Sequence, residues 1–234
     1  MNEPNPRSIG NADFLARVPL FTSLKPAHVA DLAARLRERK YRSGEVIFHQ
    51  DDPGSSLHII QNGQVKITTT SPEGEEIIMA ILNERDSFGE IALLDGKPRS
   101  ANAVAMSATQ TLTLDRDDFL GVLDQNPGMV GSILASVAAG WRRTSHLLED
   151  AVFLDLPGRL AKRLLELAEK NGLRTAKGIE IDLNLTQQDL AAAVGVSREA
   201  MNKQLGLFQD AGLLSVGKKR IIIVRPDELR KRII

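Results

Sequence analysis

Residues 88–101, FGEIALLDGKPRSA, contain the most specific pattern in this chain. Gly89 allows a backbone to approach a ligand closely, and a short helical turn that starts at Glu90 directs free N–H groups toward an anion. Arg99 supplies a positive charge for a phosphate, Ser100 adds a hydroxyl donor, and the Glu90 carboxylate suits a ribose hydroxyl. This spacing favours a site for one small anionic nucleotide over the alternative, a surface Glu–Arg pair in a turn.

The surrounding residues, from Tyr41 to Leu114, form short β-rich runs that are separated by glycines. Runs of this spacing are typical of a small antiparallel sandwich or barrel, although the pattern leaves the topology open. The predicted strands are Glu45–His49, Leu57–Ile60, Val65–Thr70, Ile77–Leu82 and Thr109–Leu114.

Helical periodicity flanks this β-rich part on both sides. Residues 11–40 carry apolar side chains at helical spacing, and the same period returns from Pro127 to about Ala151. The second helix is too long for a compact β domain to cover, so we predict that it pairs with the same helix of a second copy. Packing onto its own β domain is the alternative. Its apolar stripe consists of Val130, Ile133, Leu134, Val137, Trp141, Leu147 and Leu148.

A hinge is predicted at residues 153–157, after this long helix. Asp155 has the character of an N-cap, and a proline fits the first turn of the helix that follows. That helix runs from Leu156 to about Asn171 and is expected to end at Gly172, a C′ glycine. We therefore predict a β domain over 1–126, a dimerisation helix with hinge over 127–154, and a C-terminal domain over 155–234.

The C-terminal domain contains two short predicted helices joined by a glycine. Thr186–Asp189 has the form of a capping box, Gly195 breaks the first helix, and Ser197 caps the second. In the second helix the predicted inward positions are Met201, Leu205 and Phe208, and the outward positions are Arg198, Glu199, Asn202 and Lys203. This arrangement predicts a helix-turn-helix, whose second helix presents its first residues to base edges in the major groove.

A basic hairpin follows the helix pair. Leu213–Val216 and Ile221–Val224 flank the sequence GKKR, which predicts a wing whose cationic tip neutralises phosphates; an ordinary solvated turn is the alternative. In the second helix of the pair, an arginine can donate two hydrogen bonds to guanine, and a glutamate can accept one from cytosine. The candidate DNA-binding residues are Thr186, Gln187, Ser197, Arg198, Glu199, Asn202, Lys203, Lys218 and Lys219.

The composition excludes several kinds of site. The 234 residues include no cysteine, which excludes disulfides, iron–sulfur clusters and thiolate zinc sites. The histidines, at positions 28, 49, 58 and 146, do not cluster, so we expect no metal and no haem. The sequence also lacks a Gly-x-Ser-x-Gly elbow and a phosphate loop, so we expect no catalytic residue and no enzyme activity.

The charge is divided unevenly along the chain. Residues 155–234 contain 15 Lys and Arg against 10 Asp and Glu, whereas residues 1–154 contain 15 against 20. A basic C-terminal part is a weak indication of polyanion binding. Residues 1–10 are polar and no apolar run approaches 18 residues, so we expect a cytoplasmic protein without a membrane segment.

The FGE…PRSA string resembles the phosphate-binding cassette of the cyclic-AMP receptor protein branch of the cyclic-AMP receptor/fumarate-nitrate regulator superfamily. Thr144–Ser145 stands where that family has a Thr-Ser pair on its dimer helix. Residues 153–159 are similar to its hinge, and residues 197–199 resemble the start of its recognition helix. The resemblance covers residues 14–226.

This resemblance implies an α+β protein: a cyclic-nucleotide-binding β-roll of jelly-roll type, a long dimerisation helix and a winged helix-turn-helix. It implies a homodimeric regulator that binds palindromic double-stranded DNA and acts with RNA polymerase. The implied ribose residues are Gly89 and Glu90, the phosphate residues Arg99 and Ser100 beside Ile91 and Ala101, and the base pocket Ile67, Met79 and Leu82. Thr144 and Ser145 of the partner subunit would meet the purine.

The usual effector of this family is cyclic AMP, and cyclic GMP, alone or in addition, is the second candidate because a threonine hydroxyl serves either purine. A regulator that needs no nucleotide remains a further alternative. Two residues depart from the best-known family pattern, since Gly140 and Lys203 stand where it has arginines. Lysine lacks the bidentate fork, so a TGTGA-like half-site is expected only in part.

Overall fold

The computed structural model describes residues 6–182, 185–217 and 220–233. The helices are α1 Pro6–Leu15, α2 Pro26–Arg35, α3 Glu90–Asp95, α4 Arg116–Gln125, α5 Gly128–Phe153, α6 Leu156–Asn171, α7 Gln187–Val194, α8 Arg198–Asp210 and α9 Pro226–Arg230. The strands are β1 Arg37–Tyr41, β2 Val46–Phe48, β3 Ser56–Asn62, β4 Val65–Thr70, β5 Glu76–Leu82, β6 Ser87–Phe88, β7 Asn102–Ala105, β8 Thr109–Asp115, β9 Gly172–Thr175, β10 Gly178–Asp182, β11 Leu214–Val216 and β12 Arg220–Ile223.

The chain forms two compact units. The first comprises Met1–Thr69 and Ala80–Arg143, and the second comprises Thr70–Met79 and Thr144–Ile234. The order of a β-rich part, a long helix and a helix-turn-helix confirms the predicted α+β class.

Two antiparallel four-stranded sheets form the β-rich part, in the orders β1-β8-β3-β6 and β2-β7-β4-β5. Because side chains alternate along a strand, β3 presents Leu57 and Ile59 to one side and His58 to the other. Leu57 and Ile59 belong to a buried cluster that also contains Phe21 of the N-terminal segment and Phe119 of α4. The opposite face of β3 therefore faces a separate interior, where the candidate site begins.

The edge strand β1 was not predicted. Its sequence, RERKY, has no apolar alternation, and four of its five side chains are exposed. It pairs with β8 through backbone bonds from Arg37↔Thr113 to Tyr41↔Thr109. The helical spacing predicted to residue 40 is therefore wrong at its end: α2 ends at Arg35, and the residues from Arg37 pair with β8 as a strand.

Helix α5 buries two residues near its beginning and exposes most of its apolar stripe. Met129 and Ile133 lie in the core of the first unit. Further along, Trp141 is 74% exposed and Phe153 is 75% exposed, and Val130, Leu134, Val137, Leu148 and Val152 are exposed as well.

The hinge is short, and the helix that follows it is capped. The Asp155 carboxylate accepts a hydrogen bond from the Gly158 N–H at 2.8 Å, which confirms the predicted N-cap of α6. Lys162 Nζ lies 2.6 Å from Asp150 Oδ1, so an ion pair joins the last turns of α5 to α6.

Helix α6 ends at Asn171 and Gly172 follows it, as predicted, but Gly172 does not have the left-handed backbone of a C′ glycine. Its φ is −75° and its backbone is extended, so it begins β9 rather than ending α6 in the left-handed region. A Cβ at this position would lie 2.3 Å from the Ala168 carbonyl oxygen and 2.6 Å from Ile179 Cγ2. Glycine is therefore required here by space and not by backbone rotation.

Candidate functional site

The 88–101 segment folds as a turn, one short helix and an extended return. Gly89 has a φ of +88° and precedes α3, and Gly96 ends α3 with a φ of +70°. A Cβ on Gly89 would lie 2.4 Å from Arg99 Nη1 and 3.1 Å from the Ser56 carbonyl oxygen. Both the backbone rotation and the close approach of Arg99 require glycine at position 89.

Arg99 is the central residue of this segment, and only 4% of it is exposed. Its Nη1 donates to the Gly89 carbonyl at 2.8 Å, and its Nη2 donates to the Ser56 carbonyl at 2.7 Å. The guanidinium carbon lies 4.1 Å from the centroid of the Phe48 ring. The main chain of Arg99 is also held, because it exchanges hydrogen bonds of 2.9 Å with Asp51 and Asp52.

The buried charge of Arg99 is met by neutral groups. The acceptors of its side-chain hydrogen bonds are two carbonyls and the Ser56 hydroxyl, and its Nε is buried without a partner among the described residues. Burial lowers the pKa of Arg99, while the Glu90 and Asp52 carboxylates raise it. Burial raises the pKa of Glu90, and its own N–H and Arg99 lower it. An arginine held by neutral partners keeps its charge for an incoming anion.

The other predicted cassette residues lie around Arg99 in the chain but differ in burial. Ser100 and Ile91 are exposed, whereas Ala101 is buried. Two predicted base-pocket residues, Ile67 and Leu82, pack against a small buried cluster of Ile60, Val65, Phe88 and Ala103. Hence Ile67 and Leu82 belong to the interior beside the Phe48 and Phe88 rings.

Three further candidates belong to the second unit. Met79 is half-buried, Thr144 is exposed and Ser145 is half-buried on α5. Their roles toward a nucleotide stay predictions.

The sequence interpretation missed Ser56, Phe48, His58 and Asp52, all of which surround Arg99 or its partners. The available signal was the alternation Ser56-Leu57-His58 at the start of the predicted strand Leu57–Ile60; a strand that begins one residue earlier, at Ser56, places the hydroxyl and the imidazole on one face. A single apolar–polar alternation of this kind is too common to indicate a site by itself.

The helix-turn-helix is formed as predicted. The Thr186 side chain accepts from Asp189 N and the Asp189 carboxylate accepts from Thr186 N, which confirms the capping box. Gly195 is left-handed with a φ of +74°, and Ser197 caps α8. In α8 the buried side chains are Met201, Gln204, Leu205 and Phe208, and the exposed ones include Arg198, Glu199, Asn202 and Lys203.

The candidate DNA-binding residues outside α8 lie at the start of α7 and in the predicted wing. Thr186 and Gln187 are exposed at the start of α7. The wing is an antiparallel pair of β11 and β12, closed by a 2.8 Å hydrogen bond from Gly217 N to the Arg220 carbonyl. Lys218 and Lys219, predicted at its tip, lie outside the described residues.

In the described part of the chain, no group of three or more His, Asp or Glu residues could hold a metal ion. No helix among the described residues has the length and apolar character needed to cross a membrane.

Two protein-family models match this chain. Residues 38–126 match the cyclic nucleotide-binding domain family, and residues 158–232 match the Crp-like helix-turn-helix domain family. The two family matches identify the chain as a cyclic-nucleotide-binding transcriptional regulator.

The chain is 33% identical over 220 residues to the CRP-like cAMP-activated global transcriptional regulator of Mycobacterium tuberculosis, covering 94% of this chain and 98% of the relative. It is 31% identical over 186 residues to the cAMP-activated global transcriptional regulator CRP of Escherichia coli, covering 79% and 88%. The solved structure of the c-di-GMP responsive global regulator CLP of Xanthomonas campestris shares the fold, with a TM-score of 0.78 at 19% identity over 86% of this chain and 100% of that one. The chain belongs to the cyclic-AMP receptor/fumarate-nitrate regulator superfamily.

Proposed function

We propose that this protein is a homodimeric, sequence-specific DNA-binding regulator whose DNA affinity is controlled by cyclic AMP. The observation that carries the proposal is the buried cation of Arg99, which is held by carbonyls and a hydroxyl rather than by a carboxylate. A singly charged cyclic phosphate fits a site with one fixed guanidinium and a neighbouring hydroxyl, Ser100. Glu90 beside it accepts from the ribose.

Cyclic AMP is the proposed effector because two relatives that cover most of this chain are named as cAMP-activated. Cyclic GMP is the alternative, since the predicted purine contact, Thr144, carries a hydroxyl that donates as readily as it accepts. We propose that the nucleotide is bound and not turned over, so it is recovered unchanged.

The proposed dimer forms through α5. A stripe of exposed apolar residues on one long helix, including Val137, Trp141 and Leu148, fits the same stripe of a second copy. A two-fold dimer places two recognition helices about 34 Å apart, which matches successive major grooves of a palindromic site. Arg198, Glu199, Asn202 and Lys203 then read bases in each half-site, with RNA polymerase as a further partner in the cytoplasm.

The nucleotide shifts the DNA-binding equilibrium only through its different affinities for the two arrangements of the dimer, commonly worth about 1–3 kcal/mol. Reciprocity follows, so cognate DNA tightens nucleotide binding by the same factor. Equal nucleotide affinity with and without cognate DNA would contradict this coupling.

Isothermal titration of cyclic AMP into wild type and an Arg99→Gln variant tests the site. We expect binding in wild type and a loss of about 100-fold or more in the variant, because a charge-assisted, buried phosphate contact is removed. Arg17→Gln is the matched control, since Arg17 is exposed and distant in sequence from the cassette. Equal affinity in all three proteins would contradict the assignment of Arg99.

A further inference from the structure

A chain of buried polar side chains leads away from Arg99. Arg99 Nη2 lies 3.3 Å from Ser56 Oγ, and Ser56 Oγ lies 3.2 Å from His58 Nε2. On the other side of the ring, His58 Nδ1 lies 3.5 Å from Thr111 Oγ1. Thr111 is the last member of this chain of side-chain contacts.

The chain follows one face of the β8-β3 part of the first sheet. Ser56 and His58 are two residues apart on β3, so their side chains share a face. Thr111 on β8 pairs with Ile60 on β3, so its side chain lies on the same face of the sheet as that of His58. Thr111 is fully buried and His58 is 6% exposed.

Arginine fixes the direction of the first hydrogen bond in this chain. A guanidinium only donates, so Ser56 Oγ accepts from Arg99. The Ser56 hydroxyl donates to His58 Nε2 when the neutral imidazole carries its proton on Nδ1, directed at Thr111. The Arg99 charge favours this tautomer, because each donor then points away from the cation.

Aromatic packing holds His58 and Arg99 in place. His58 is stacked on Phe88 with ring centroids 5.0 Å apart and an interplanar angle of 19°. Phe48 lies 5.7 Å from the His58 ring and also under the Arg99 guanidinium. Lateral movement of Arg99 would therefore disturb a packed group of rings as well as the hydrogen bonds.

We propose that Ser56 and His58 are positioning residues of the ligand site, which hold the Arg99 guanidinium in the orientation that receives the phosphate. Because His58 Nε2 takes the Ser56 proton, the Ser56 oxygen keeps its lone pairs toward Arg99. This inference rests on the proposed function, in which Arg99 binds the cyclic phosphate. It assigns part of the phosphate specificity to residues that touch no ligand.

Cyclic AMP and its two phosphorothioate diastereomers, in which sulfur replaces one or the other exocyclic oxygen, are the probes. A fixed guanidinium distinguishes the two diastereomers, whereas a loosened one distinguishes them less. We expect Ser56→Ala and His58→Phe to weaken cyclic AMP binding about tenfold, the effect of one hydrogen bond, and to bring the affinity ratio of the diastereomers toward one. His58→Phe keeps an aromatic ring in the stack and removes both ring nitrogens, the acceptor of the Ser56 bond and the group that faces Thr111.

Two conservative variants and one control complete the set. Ser56→Thr retains the hydroxyl, and His58→Gln retains an acceptor, so both are expected to recover the wild-type ratio. Thr113→Val removes another hydroxyl of β8, which donates to the Arg37 carbonyl at 3.1 Å instead of joining the chain. It is expected to leave the ratio unchanged.

The outcomes separate the two proposals. Wild type that binds no cyclic nucleotide overturns the proposed function. Binding that Arg99→Gln abolishes, but that Ser56→Ala and His58→Phe leave unchanged in affinity and ratio, overturns the positioning role alone. If every variant, Thr113→Val included, weakens cyclic AMP and both diastereomers equally, the cause is a general loss of structure. That result also overturns the positioning role.

The tautomer of His58 can be measured in the wild-type protein, so this test does not depend on the folding of a variant. The imidazole nitrogen shifts of ¹⁵N-labelled protein report the tautomer of His58. We expect a neutral ring with its proton on Nδ1, and a proton on Nε2 would overturn the order of the chain.

Discussion

At the scale of single residues, Gly89 meets two requirements at once, a left-handed backbone and contact with Arg99 Nη1. We expect Gly89→Ala to lower the free energy of unfolding by about 1–2 kcal/mol, from the strained φ alone. It should also weaken nucleotide binding at least tenfold, since its Cβ displaces the guanidinium. Urea denaturation and isothermal titration measure the two effects.

Gly121→Ala is the control for that substitution. Gly121 lies within α4 and a Cβ there meets no atom within 4 Å, so alanine should stabilise the helix by up to about 1 kcal/mol. A Gly89→Ala protein that matches this control in stability and retains nucleotide affinity would contradict the account of position 89.

His58 gives the stability a defined pH dependence. Burial, with Arg99 and Arg39 adding to the effect, lowers the pKa of His58 to about 3. As the pH falls below the ordinary histidine pKa, the unfolded chain binds a proton that the folded chain does not, so the free energy of unfolding falls. At roughly 1.4 kcal/mol per pH unit, this group removes about 2 kcal/mol between pH 7 and pH 5.

Urea denaturation at pH 5, 6 and 7 measures this effect. We expect a flatter profile for His58→Phe than for wild type, and the wild-type slope for Thr113→Val, which retains the histidine. Parallel profiles for wild type and His58→Phe would show that His58 is not buried as the structure places it.

At the scale of elements, local side-chain chemistry explains which parts could be predicted. The strand β8 and the capped helices α7 and α8 carry their own signals, apolar alternation in one case and Thr186 and Ser197 in the other. The strand β1 carries none, because its charged residues depend on β8 for pairing. Likewise Arg99 was predictable from its segment, whereas Ser56 and His58 act through contacts that only the fold creates.

The apolar stripe of α5 predicts the oligomeric state. Val137→Glu places a charge in the middle of the stripe, and we expect it to convert the dimer to a monomer because burying an unpaired carboxylate is costly. Ala135→Glu is the control, since Ala135 is not part of the predicted apolar stripe and is exposed. Sedimentation velocity distinguishes the two; a monomeric wild type, or a dimer that survives Val137→Glu, would contradict the proposed interface.

The helix α8 predicts the pattern of base readout. Arg198→Ala should weaken binding to a cognate palindrome by about 1–3 kcal/mol and relax the preference at one base pair of each half-site. Lys203→Arg should instead sharpen the preference at another base pair, because arginine restores the bidentate fork. Binding to a set of singly substituted sites at fixed salt measures both, and a uniform loss across all sites would assign Arg198 to the phosphate backbone.

At the scale of the whole molecule, the central claim is that a nucleotide in the β-rich unit controls a DNA reader in the other. Fluorescence anisotropy of a labelled palindrome with TGTGA-like half-sites, at one salt concentration, tests it most directly. Nucleotide-free protein is added alone, with cyclic AMP, or with cyclic GMP, and Arg99→Gln is added under the same conditions. We expect tight binding only with cyclic AMP and none of this response in Arg99→Gln. Equal binding by wild type under all three conditions would contradict the claim and leave a DNA-binding protein without a nucleotide gate.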